Sequence, residues 1–138
     1  MQLYGYSGTP LVKKLGIKER FIMSIINAPE NYLKLLTDLP DDVEIVNDPK
    51  SKKDFIHFFV QKEADLIKKI LLLKNQIKSN GMIWISWPKK ASKVMTDITE
   101  DVIRKIALDN GLVDVKVCAV DETWSGLKLV IPVKERKR

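Results

Sequence analysis

The stretch "WISWPKKASKVMTDITE", residues 84–100, sets Lys89 and Lys90 directly after an apolar run that ends in Trp87-Pro88. Two ammonium groups at such a strand end can meet a phosphate or carboxylate as point charges. They can also pair with acids across the sheet edge, worth about 0–1 kcal/mol if exposed. The acids and hydroxyls that could share that edge are Asp121, Glu122 and Ser125 in "DETWSG", which also holds Trp124. Adjacent residues in extended chain point to opposite sides, so Asp121 and Glu122 do not read as a pair sharing one proton. His57 lies in the aromatic run "DFIHFFVQ" and reads as a satisfied core or rim histidine rather than a base. Cys118 in "VKVCAV" reads as a packed thiol, with only Lys116 on the same face to lower its pKa. Trp84 and Trp87 read as core. Ser7, Ser86 and Ser125 have no evident base. Nothing in the chain assembles a nucleophile, a base and an oxyanion hole, so no catalytic residue is assigned and the reading leans away from an enzyme.

The elements that must position these groups follow from periodicity. "TPLVKKLGI" predicts a short helix begun at Thr9-Pro10 and stopped by Gly16. "RFIMSIINAP", residues 20–29, predicts a strand buried on both faces. A brief helix in "ENYLKLLTDLP" and a short strand over 43–46 come next, then a strand over 54–61. Over 63–78 the period becomes helical, with Leu66, Ile67, Ile70, Leu73 and Ile77 on one face and Asn80-Gly81 as the stop. "MIWISWP" predicts a strand. Asp97 and Glu100 have capping-box spacing ahead of "DVIRKIALDNG", whose Val102, Ile103, Ile106 and Ala107 face inward and whose Gly111 is the stop. "LVDVKVCAV" and "LKLVIPV" predict two last strands joined by a hairpin at 121–126.

This order predicts a three-layer Rossmann-like α/β sandwich with a mostly parallel six-stranded sheet, order 2-1-3-4-6-5, and an antiparallel last strand. The domain spans 1–133, with residues 1–18 as a helical flap and 134–138 as a basic frayed tail. Ligands of open parallel sheets sit beyond the carboxyl ends of the strands, where strand order reverses. That edge gathers Asn27 and Glu30 after the first strand, Lys62 after the third, Lys89 and Lys90 after the fourth, and Asp121, Glu122, Trp124 and Ser125 from the hairpin. These nine residues are the candidate ligand rim. A nucleotide site wants glycines after the first strand so that backbone can approach the phosphates. "INAPENY" has none, so no cofactor is expected. Glu44 and Asp48 near the second strand only weakly echo a ribose-binding carboxylate.

Composition bounds the rest. The chain of 138 residues, 45% apolar and 30% charged, is long enough to bury one real core. No apolar run approaches the roughly 18 residues that cross a bilayer. The opening residues lack the basic-then-apolar order of a signal peptide, so a cytoplasmic protein is expected. One cysteine and one histidine argue against a disulfide framework and a structural metal site. The net charge is +6, of which the terminal "KERKR" holds +3. Without a nucleic-acid motif, this reads as a lysine-rich surface and points away from nucleic-acid binding.

"GYSGTPLVKKLGIK", "WPKKAS" and "DITEDVIRKIALDNGLVDVKVCAVDETWSGLK" resemble the small bacterial proteins of the domain of unknown function 3052 family. The closing helix, strand and hairpin resemble the end of a Rossmann-like methyltransferase fold lacking its glycine motif. The first resemblance implies a bacterial intracellular protein and supplies no reaction. The expected function is a non-catalytic module that binds a small anionic ligand or a protein partner at the rim. The alternatives are a small-molecule enzyme of methyltransferase-like ancestry and a basic nucleic-acid accessory protein. An exposed edge at the second or fifth strand could support a homodimer. The flap is expected to fold over the rim, bringing Tyr6 to Trp124.

Overall fold

A computed structural model describes residues 9–136. The expected contact of Tyr6 with Trp124, with the flap's first eight residues and the last two of the tail, lies outside the described residues. The sheet has six strands: β1 (Ile22–Ile26), β2 (Glu44–Ile45), β3 (Lys53–Phe59), β4 (Ile77–Pro88), β5 (Val113–Ala119) and β6 (Trp124–Val130). Their order is β2-β1-β3-β4-β6-β5, as the sequence predicted. The β1–β2, β1–β3 and β3–β4 pairs are parallel, and β6 is antiparallel to both neighbours.

Helices cover both faces. On one, α3 (Glu63–Lys74) and α4 (Glu100–Asp109) bury Leu66, Ile70, Ile103 and Ile106 against Ile56, Phe58, Ile83 and Leu127. On the other, the short helices α1 (Leu11–Leu15) and α2 (Tyr32–Leu35) pack Leu15 and Tyr32 against Phe55, Phe59 and Trp84. The alternation of side chains along β3 explains the division: Phe55 and Phe59 point one way, Ile56 and Phe58 the other. Trp84 fastens α1 by donating its indole N–H to the Leu15 carbonyl, 2.9 Å away. Among the described residues, no helix is long and apolar enough to cross a membrane.

Three boundaries differ from expectation. The third helix ends at Lys74, and Ile77 already belongs to β4. Gly81 does not stop a helix. It lets β4 pass close to β3, since a Cβ there would stand 2.9 Å from the Lys53 carbonyl oxygen. Ile67 is exposed, because the shorter helix centres its buried stripe on Leu66, Ile70 and Leu73. The cap of α4 is Thr99, whose hydroxyl accepts from the Val102 N–H at 3.2 Å. Asp97 serves another helix instead. Finally, β6 begins at Trp124, so only residues 120–123 turn. Past β6, Val133–Glu135 form one tight turn and the Arg136 guanidinium donates to the Ile131 carbonyl at 2.9 Å.

Candidate functional site

Strand order reverses between β1 and β3 at the carboxyl edge of the sheet, and a cavity of about 260 Å³ sits there. Asn27, Pro29, Phe59, Val60, Gln61, Lys62, Asp65 and Trp124 line it. Of the nine rim residues, the cavity unites Asn27, Lys62 and Trp124, which come from three distant parts of the chain. Gln61 and Lys62 also border a second cavity of about 530 Å³ with Ala64, Met95, Thr96 and Asp97. Those two residues form the ridge between the cavities.

Each lining group has a local cause. Asn27 takes a left-handed conformation, φ 58°, directly after β1. That is the turn for which nucleotide-binding sheets use glycine, and asparagine is among the few other residues that tolerate it. Lys62 precedes α3, and its carbonyl accepts from the N–H groups of Asp65 and Leu66. The loop after β4 straps this corner down. The Thr96 hydroxyl donates to the Gln61 carbonyl at 2.6 Å, and Asp97 accepts from the Glu63 N–H at 2.7 Å. Asp97 thus caps the first turn of α3, where a carboxylate also meets the positive end of the helix dipole. Trp124 stands edge-on to Phe59 with ring centroids 5.2 Å apart, giving the cavity an aromatic wall.

The other rim residues stand elsewhere. Lys89 reaches the turn after β5 through its backbone, donating its N–H to the Thr123 carbonyl at 2.8 Å. Its own carbonyl accepts from the Ser92 N–H and hydroxyl. Lys90 is exposed and opens a single 3₁₀ turn, Lys90–Ser92. Neither lysine lines the 260 Å³ or the 530 Å³ cavity. Asp121 is nearly buried, and its Oδ1 accepts from the backbone N–H groups of Thr123 and Trp124, both at 2.8 Å. This carboxylate shapes the turn rather than facing a lysine. Ser125 is in β6, in register with Trp87 and Ala119, on the opposite sheet face from Trp124. Glu30 and Glu122 are exposed and line neither of these two cavities. Asp48, the weak ribose candidate, accepts from the N–H groups of Lys50 and Ser51 and from the Ser51 hydroxyl; these bonds lower its pKa and hold a turn.

Behind the aromatic wall runs a buried hydrogen-bond chain. Tyr32 Oη lies 2.6 Å from His57 Nδ1, and His57 Nε2 lies 2.6 Å from Ser86 Oγ. The spacing is that of a nucleophile, a base and an orienting group. All three side chains are fully buried, however, and Phe59 stacks on the imidazole with centroids 4.2 Å apart. Burial pushes the His57 pKa down to about 3, so the ring is neutral. His57 is therefore a satisfied core residue. Cys118 is buried too, and desolvation raises its pKa against the opposing pull of Lys14 and Lys116. Among the described residues, no cluster of three metal-ligating side chains exists.

Sequence reasoning missed Phe59, Val60 and Asp65 as lining residues. It also missed Tyr32 and Ser86 as the partners of His57. The signal for Ser86 was present: it shares a sheet face with His57 once the parallel register pairs Phe59 with Ser86. Tyr32 gave none, because its approach depends on the turn at Asn27.

The sheet order and the closing hairpin are those of S-adenosylmethionine-dependent methyltransferases, and the fold is shared with them. A methyltransferase of this type from Aquifex aeolicus superposes with a TM-score of 0.60 at 17% identity, over 88% of each chain. Magnesium protoporphyrin IX methyltransferase from Synechocystis PCC 6803, with bound S-adenosylmethionine, gives 0.56 at 12% identity, over 88% of this chain and 74% of that one. The O-methyltransferase of neocarzinostatin biosynthesis gives 0.63 at 11% identity, over 92% of this chain and 53% of that one. Residues 35–133 match the family described as Protein of unknown function (DUF3052), and the chain belongs to it. No curated protein sequence matches the chain.

Proposed function

We propose that the chain is a cytoplasmic bacterial binding module that holds a small anionic ligand in the carboxyl-edge cavity. The observation that carries this reading is the convergence of Asn27, Lys62 and Trp124 at the point where strand order reverses. Lys62 supplies a cation, Asn27 and Gln61 supply amides, and Phe59 with Trp124 supplies an apolar wall for a planar group. The buried pair Ser86 and His57 is sealed from ligand, which supports a role without chemistry. A methyltransferase-like enzyme is the second reading, favoured by the shared fold and by the left-handed turn kept at Asn27.

A thermal-shift screen separates the two. Adenosine monophosphate, which joins a planar base to a phosphate, represents the first, and S-adenosylhomocysteine the second. A ligand at a hundred times its Kd stabilises by about 2.7 kcal/mol, several degrees in Tm for a chain of this size. A shift with an anion of the first type, lost in Lys62→Ala with Trp124→Ala and kept in Lys89→Ala with Lys90→Ala, is expected. A shift with S-adenosylhomocysteine instead would favour the enzyme. No shift with any small anion would leave a protein partner as the occupant.

A further inference from the structure

We infer that a second anion site, separate from the carboxyl-edge cavity, lies on the α1 face of the sheet, where Lys14, Lys18, Lys116 and Lys128 take a phosphate-bearing ligand. The geometry begins with an unusual pair: Lys116 of β5 and Lys128 of β6 stand directly opposite each other across antiparallel strands. Like charges in that position repel and weaken the pairing. Lys128 is in register with Trp84 on its other side, so the pair faces α1, which the Trp84 indole holds down.

The helix then brings further cations to the same place. The Lys116 ammonium donates to the Lys14 carbonyl at 3.0 Å, and the Lys14 ammonium donates to the Ala119 carbonyl at 3.1 Å. Lys128 Nζ stands 3.9 Å from where a Cβ on Gly16 would be, at the end of α1. Lys18 follows two residues later. Burial lowers the pKa of Lys128, and the charges of Lys116 and Lys18 lower it further, which places all three ammonium groups within one field.

Among the described residues, no acid pairs with any of the four. Glu19, the acid nearest in sequence, pairs with Arg20 at 3.8 Å. Residues 1–8, which precede α1, contain no Asp or Glu. Other cations of the chain do find acids: Arg104 bonds Glu100, Asp101 and Asp114, and Lys78 meets Asp54 at 3.1 Å. Each lysine ammonium has three donors, and the two carbonyl bonds leave most of them for a ligand. A phosphate offers the matching chemistry: more than one negative charge and several acceptor oxygens for compact point-charge donors. None of the four lysines lines the 260 Å³ or the 530 Å³ cavity, so this site stands or falls apart from the proposed function.

Titration calorimetry at low salt with tripolyphosphate, and separately with a single-stranded oligonucleotide, tests it. The comparison uses Lys116→Gln with Lys128→Gln, against Lys34→Gln with Lys68→Gln, an equal charge change at exposed positions on α2 and α3. Tripolyphosphate is expected to bind one per chain, about tenfold more weakly in the first double variant and within about twofold of wild type in the second. The first variant should also melt at or above the wild-type temperature in phosphate-free buffer, since it removes a repulsion; this separates lost binding from lost folding. Oligonucleotide binding that tripolyphosphate displaces would assign the site to a nucleic-acid backbone. Tripolyphosphate binding alone would assign it to a small phosphorylated ligand. If neither probe binds, or both double variants weaken binding equally, the site does not exist and only net charge acts.

Discussion

Trp84→Ala is expected to destabilise the protein by about 3–5 kcal/mol, the usual cost of removing a large buried aromatic. The indole is fully buried between β4 and α1, in the cluster that also holds Leu15, Phe55 and Phe59. Two effects add. The ring leaves a cavity, and the Leu15 carbonyl loses the N–H that ties α1 to the sheet. Trp84→Phe separates them, because it fills most of the space and removes only the donor; about 1–3 kcal/mol is expected for that loss. Urea denaturation of both variants reads the two costs. Equal stability of wild type and Trp84→Ala would mean that α1 is not anchored as described, and the lysine cluster beside it would lose its frame.

Acid should destabilise the fold through His57, beginning as pH falls below about 6.5. The folded pKa of about 3 lies below the ordinary value of 6.5 because burial opposes the charged ring. The sign follows from linkage: a depressed histidine gives stability that is complete above pH 6.5 and is lost as pH falls toward 3. At 1.36 kcal/mol per unit, the loss is about 2 kcal/mol between pH 7.5 and pH 5, and approaches about 5 kcal/mol near pH 3. His57 is the one histidine of the chain, so the upper window belongs to it alone. Asp48 adds its own loss only at lower pH, since hydrogen bonds from Ser51 and Lys50 hold its pKa below the usual carboxylate range. Denaturation midpoints across pH 7.5 to 5 check this. A flat profile would mean that the ring accepts a proton in the folded state.

The fold was legible because its signals were repeated. Apolar runs of strand length alternated with helical periods, and the six-residue link between the last two strands allowed only a hairpin. Strand order then followed from connection rules together with the resemblance of the closing hairpin to the end of a methyltransferase-like fold. What misled was local chemistry with two outlets. Asp97 and Glu100 have a capping spacing, but Thr99 was better placed for α4 and Asp97 found the first N–H of α3, remote in sequence. Asn80-Gly81 looks like a helix stop, yet Gly81 answers a close strand crossing that only the sheet reveals. The site was legible in part for the same reason. Topology located Asn27, Lys62 and Trp124 at one edge, because strand ends are fixed by the sheet. Side-chain direction was not readable: Lys89 is committed through its backbone, and Asp121 bonds its own turn.

The cavity between β1 and β3 is expected to hold the ligand. An amide chemical-shift map, recorded with the small anion that raises Tm most, tests it directly. Shifts are expected to concentrate at Asn27, Gln61, Lys62 and the Trp124 indole, with Lys90 and Glu122 little changed. Shifts that miss the first four and gather at Lys89, Lys90 and the turn before β6 would contradict it.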